Sequence, residues 1–156
     1  MNSRIAESLA TEQIKLPVMG SPKYEYVTST NSGVVNYFSG KTALVNGVIH
    51  TQGKLGSDLT IAQGIESARI CAINLLSQIE NDLGLENVSK ILKVTGFVAS
   101  ADSFYDQPTV INAASELFVK ILGENGKHAR SAIGVAALPG NSPVEIELIL
   151  ESKDMG

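Results

Sequence analysis

An α+β domain, with two helices packed on one face of a mixed β-sheet, is what this sequence predicts. Three observations carry that prediction. Residues 60–83 and 106–122 repeat apolar side chains at helical spacing, and runs rich in Val, Ile, Thr and Tyr lie before, between and after them. The final run, "PVEIELILES", alternates apolar and polar residues with the period of two that a half-buried strand requires. A chain of 156 residues suits one domain over 1–156 with a single core, residues 1–20 forming an N-terminal extension.

Each element has its own signal. Residues 1–13 read as a short helix whose Ile5 and Leu9, with Ile14 beyond them, dock on the body. Two prolines and a glycine in "KLPVMGSPK" then break it. From Tyr24 to Ile49 the chain reads as extended, with "NSG", "SGK" and "NG" marking turns. Thr60 and Gln63 form the Thr-x-x-Gln pattern of a capping box. Ile61, Ile65, Ala68, Ala72, Leu75, Leu76, Ile79 and Leu83 follow at helical spacing, with Gly84 as the stop. "SKILKVTGFVAS" is a strand by its composition. The second helix starts near Asp106, tolerates Pro108 in its first turn and ends at Gly123. Val110, Ile111, Ala114, Leu117, Phe118 and Ile121 form its apolar face. "ARSAIGVAAL" and "PVEIELILES" close the chain as two strands joined by a tight "PGNS" turn.

Composition narrows function. The formal charge is -4, the basic residues are scattered and Trp is absent, so a nucleic-acid partner is not expected. No apolar run approaches the ~18 residues a membrane span needs, so no membrane partner is expected either. The one cysteine, Cys71, sits in a helical apolar pattern and reads as a buried structural thiol. A lone cysteine suits a reducing compartment, and "MNSRIAESLA" lacks a signal pattern, so a cytoplasmic location is the expectation. His50 and His128 have no partner at metal-ligand spacing and read as surface or turn residues. Gly40-Lys41-Thr42 resembles the end of a phosphate-binding loop, but Val35 occupies the position where that motif needs glycine. With no dinucleotide fingerprint after a strand, neither cofactor nor metal is expected.

The segment "KHARSAIGVAALP" poses the functional question, because Arg130 heads a run of small and aliphatic residues. If the last two strands form an antiparallel hairpin, Arg130 and Glu145 approach each other at its open end. The pair then reads either as a sheet-face salt bridge or as a carboxylate clamp. Guanidinium matches a carboxylate in bidentate fashion, and the nearby Glu could hold a water or accept a proton.

"YVTSTNSGVVNYFSGK", "INAASELF", "HARSAIGVAALP" and "VEIELI", in that order from about Tyr26 to Glu151, resemble the Rid (YjgF-like, "endoribonuclease L-PSP") family, as a divergent branch. The resemblance implies a chorismate-mutase-like fold and a homotrimer with a pocket at each subunit interface. By position it implies that Arg130 binds a substrate carboxylate, that Glu145 places water or moves protons, and that Tyr26 lines the pocket. Ser39 and Gly40 would shape the wall, Ala132 would contribute mainly backbone, and Asn112 matches the family's helix Asn. The implied activity is cofactor-free hydrolysis of an imine, or its enamine tautomer, to a 2-keto acid and ammonia. A trimer that binds a small carboxylate without turnover is the alternative. RNA cleavage fits poorly with the acidic charge. The chain departs from the family at Ala132, where Cys or Thr is frequent, and at Gly134, where an acidic residue is frequent; Gly134 could reshape or enlarge the pocket.

Overall fold

The structure, a computed structural model, describes residues 1–156. Seven strands and three helices follow in the order α1 (Ser3–Thr11), β1 (Ser29–Ser32), β2 (Val35–Thr42), β3 (Leu44–Val45), β4 (Val48–Ile49), α2 (Ile61–Asp82), β5 (Val88–Ala99), α3 (Gln107–Leu122), β6 (Ala129–Val135) and β7 (Val144–Ser152). The main sheet has the order β1-β2-β7-β5-β6, and β3 and β4 form a separate two-stranded ribbon. β5 and β6 run parallel while every other neighbouring pair is antiparallel, which makes the sheet mixed.

Local chemistry accounts for the helices. Asn2 caps α1 by accepting from the Ile5 amide at 3.0 Å, and Thr60 and Gln63 close the reciprocal capping box on α2. α2 and α3 lie on one face of the main sheet, and α1 rests on α3. Glu12, just past α1, pairs with Arg69 of α2 and Lys120 of α3, both at 3.4 Å. Ile5 and Leu9 join the core cluster, to which β7 contributes Val144, Ile146, Leu148 and Leu150. Gly96 allows α3 to approach β5, since a Cβ there would stand 2.5 Å from Ile111 Cδ1.

Two expectations change. The chain before Ser29 forms no strand, so the extended region is shorter than Tyr24–Ile49. More consequentially, β6 and β7 do not form a hairpin. β7 lies between β2 and β5, and β6 stands at the sheet edge. Residues 139–141 form a single 3-10 turn that carries the chain from the edge strand to the sheet interior. α3 supplies the crossover that parallel β5 and β6 need.

Candidate functional site

Strand alternation decides where each candidate points. Arg130 pairs with Val94 in the parallel ladder, and Val94 pairs with Leu148. Both neighbours are buried beneath the helices, so Arg130, Ala132 and Gly134 face α3. Ser131 and Ile133 face the opposite, helix-free side, where Ser131 Oγ accepts from Lys93 Nζ at 3.0 Å. Glu145 pairs with Phe97, three positions along from Leu148, and therefore belongs to that open face. Arg130 and Glu145 thus lie on opposite faces of the sheet with β5 between their strands. The expected meeting at a hairpin end does not occur within the chain.

On the helix side, Arg130 Nη1 donates to Asn112 Oδ1 at 3.3 Å and to Ser115 Oγ at 3.2 Å. These two residues are one turn apart on α3, so they present neighbouring acceptors. Asn112 Nδ2 in turn donates to Glu116 Oε1 at 3.0 Å. The Nε and Nη2 groups of Arg130 have no partner within the chain. Nε and Nη2 form the edge of a guanidinium that engages both oxygens of a carboxylate at once.

Behind Ser115 lies His128. Its Nδ1 is 2.6 Å from the Gly126 carbonyl and its Nε2 is 2.8 Å from Ser115 Oγ. Phe118 meets the ring edge-on with centroids 6.0 Å apart. Burial lowers the His128 pKa; the Gly126 hydrogen bond opposes that shift and the Arg130 charge adds to it. His128 thus lies in the turn before β6, one of the two places expected for it, and is a half-buried member of a polar cluster.

On the open face, the β2 ladder slips between Phe38 and Lys41. This bulge brings Ser39 and Gly40 beside β7. A Cβ on Gly40 would stand 2.6 Å from Glu145 Oε1, so the glycine makes room for the carboxylate. Ser39 donates through its hydroxyl to the Val27 carbonyl at 2.7 Å and through its amide to Thr28 at 2.9 Å, tying the preceding loop to the bulge. Tyr26 lies in that loop with its ring largely exposed. Glu145 is half-buried, and burial raises its pKa, with the neighbouring Glu147 carboxylate adding to the rise. It has neither a hydrogen bond nor an ion pair inside the chain. Beside it on the same face is a hollow of about 280 Å³ lined by Tyr37, Ser39, Lys93, Thr95 and Glu147 among others.

The candidates therefore fall into two groups. Arg130, Asn112 and Ala132 belong to the α3 side; Glu145, Ser39 and Gly40 belong to the open face, with Tyr26 in the loop beside it. Sequence reasoning missed Ser115 and His128. The available signals were the i, i+3 spacing of Asn112 and Ser115 and the position of His128 in the turn leading into β6. The Gln107 amide of α3 lies beside Gly134, where a Cβ would stand 2.7 Å from Gln107 Nε2. Cys71 is fully buried, and burial pushes its thiol pKa well up. No group of three or more His, Cys, Asp or Glu side chains is gathered as a metal site, and no helix is long and apolar enough to cross a membrane.

Comparison with known proteins gives the arrangement a family. Protein TCP17 of Trypanosoma cruzi is 38% identical over 154 residues, spanning 96% of this chain and 95% of its own. The crystal structure of Atu1372 from Agrobacterium tumefaciens, a protein of unknown function, superposes with a TM-score of 0.90 at 39% identity, covering 96% of this chain and 93% of its own. A putative endoribonuclease from Shewanella oneidensis also reaches a TM-score of 0.90, at 26% identity over 94% of this chain and 98% of its own. The family model described as YjgF/chorismate mutase-like, putative endoribonuclease matches residues 6–152, from within α1 to the end of β7, and the chain belongs to that family.

Proposed function

We propose that the protein hydrolyses reactive imines or enamines derived from amino acids to 2-keto acids and ammonia, without a cofactor, in a pocket built between copies of the chain. The observation that carries this reading is the state of Arg130. Its Nη1 arm is held by Asn112 and Ser115 while its Nε–Nη2 edge is free to take a carboxylate. Glu145, unpartnered and with a raised pKa, supplies the complementary group on the other face. A second copy that lays its Arg130 edge against the open face of the first would complete the site. A ring of three copies would build three such sites.

The chemistry then needs only these groups and water. Glu145 takes a proton from water as the water oxygen bonds to the carbon of the protonated imine, and the C=N π electrons pass to nitrogen and neutralise it. Glu145, now protonated, gives its proton to the amine of the carbinolamine. The C–N bond breaks as the carbinolamine oxygen forms the C=O bond, ammonia leaves, and the hydroxyl proton passes through Glu145 to the departing ammonia, leaving the 2-keto acid. A carboxyl group whose pKa is raised towards neutrality is better suited to both transfers. RNA cleavage is the weaker reading, since 16 acidic residues outnumber 12 basic ones and the open face carries Glu145 and Glu147. The separation of Arg130 and Glu145 in one chain favours one alternative, a carboxylate-binding protein without turnover.

The test is to generate 2-iminobutyrate in place with a dehydratase and follow its loss. Wild type should accelerate it, and Glu145→Gln should lower kcat by about 100-fold, the lower end of what a general acid–base contributes. Loss of the imine at the uncatalysed rate across several imino acids would remove the deaminase reading; a 2-keto acid that still binds would leave the binding protein. Glu145→Gln has a second expected effect. The folded protein holds Glu145 protonated to higher pH than the unfolded chain does, so its favourable contribution exists at low pH and is lost as pH rises through the folded pKa. At neutral pH the ionised carboxylate therefore destabilises the fold. Urea titrations at pH 4 and pH 7 should show Glu145→Gln gaining stability relative to wild type as pH rises.

A further inference from the structure

Two side chains behind Arg130 have no role in the reaction above, yet they fix its geometry. The Gly126 carbonyl can only accept a hydrogen bond, so His128 carries its proton on Nδ1. Nε2 of the neutral ring is then an acceptor, and the Ser115 hydroxyl donates to it. With its proton committed to His128, the Ser115 oxygen turns a lone pair to Arg130 Nη1. Asn112 Oδ1 takes the second Nη1 hydrogen, while Glu116 fixes the orientation of the Asn112 amide. Both hydrogens of one arm are therefore occupied, and this sets the plane of the whole guanidinium.

We propose that Ser115 and His128 are positioning residues that hold Arg130 by its Nη1 arm so that the Nε–Nη2 edge stays open to an incoming carboxylate. The inference rests on the reading of Arg130 as the carboxylate-binding group. An arginine side chain has about 2 kcal/mol of rotamer entropy to lose on binding, and a residue already fixed in place loses less of it at the moment of capture. The role belongs to neutral His128. A protonated ring would donate from both nitrogens, leave the Ser115 proton without its acceptor and place a second positive charge beside the guanidinium. The charged groups on the elements around the ring are Arg130 on β6, Glu116 on α3, held by Asn112, and Lys127 and Glu124, which pair with each other at 2.8 Å in the preceding turn. Burial and the Arg130 charge both favour the neutral ring.

The experiment measures the affinity of the full-length protein for 2-oxobutyrate, a stable compound carrying the same carboxylate, together with the His128 titration followed by NMR. Ser115→Ala and His128→Phe should each weaken binding by about tenfold, the size of one hydrogen bond to a charged group. Ser115→Thr keeps the hydroxyl and His128→Gln keeps an acceptor, so both should stay within about threefold of wild type, a rescue that a purely structural role would not show. Ser115→Ala and Arg130→Met should each move the His128 titration to higher pH. Unchanged binding in Ser115→Ala, or equal losses in the conservative variants, would overturn the positioning role while leaving Arg130 as the carboxylate group. Wild type that binds no 2-oxo acid would overturn the reading of Arg130, and this role with it.

Discussion

Replacing Arg130 by Met should lower kcat/KM for imine hydrolysis by about 100-fold or more while leaving the protein folded. Hydrogen bonds to a charged group contribute about 1.5–3 kcal/mol each, and a bidentate carboxylate uses two, so the loss corresponds to at least two factors of ten. The fold should tolerate the change because Arg130 lies on an edge strand and its two partners, on the partly exposed outer side of α3, remain accessible to water. Arg130→Lys should not restore activity, since an ammonium is a point charge without the planar fork. Steady-state kinetics with circular dichroism on the same samples checks both halves. A variant that keeps wild-type kcat/KM would remove Arg130 from the site.

Gly126→Ala should give the largest loss of stability of any single methyl group added near the site. Gly126 is buried in the turn between α3 and β6, and a Cβ there would overlap the Phe118 carbonyl. Backbone is the obstacle, so no rotamer change relieves it. A cost of about 2–4 kcal/mol is expected for overpacking of this kind. The thermal midpoint should fall by several degrees, at roughly 2–4 °C per kcal/mol for a chain of this size. Scanning calorimetry of Gly126→Ala against wild type measures it, and a shift within error would show that the turn relaxes freely.

Local structure is legible in the sequence and long-range order is not. Local signals were legible: the Thr60–Gln63 box fixes the start of α2, and the alternation of Val144, Ile146, Leu148 and Leu150 identifies the buried face of β7. Strand order was not. The Pro-Gly turn before β7 looks the same whether the chain doubles back on its neighbour or crosses to the sheet interior. Only the tertiary placement of α3, which makes β5 and β6 parallel, decides between them. The run after Arg130 was half legible. Its small residues do leave the guanidinium reachable, but Ala132 packs on the core and Gly134 sits under Gln107, so part of the room belongs to α3. Ser115 and His128 were hidden for a related reason. The i, i+3 spacing puts Asn112 and Ser115 on one face of α3. The partnership of Ser115 with His128 joins that face to a turn, and spacing along a helix does not say what the face meets.

Arg130 and Glu145 face opposite sides of one sheet, so the proposed site takes its two halves from different copies of the chain. Mixing subunits distinguishes such a shared site from one built within a single chain. Arg130→Met and Glu145→Gln proteins, each severely impaired alone, are unfolded together, refolded together and assayed for 2-iminobutyrate hydrolysis. Activity should recover, because some mixed assemblies contain a pocket with Arg130 from one chain and Glu145 from its neighbour. Mixed oligomers, verified by mass, that remain as impaired as either parent would contradict the shared site, and would place both residues of each working site in a single chain.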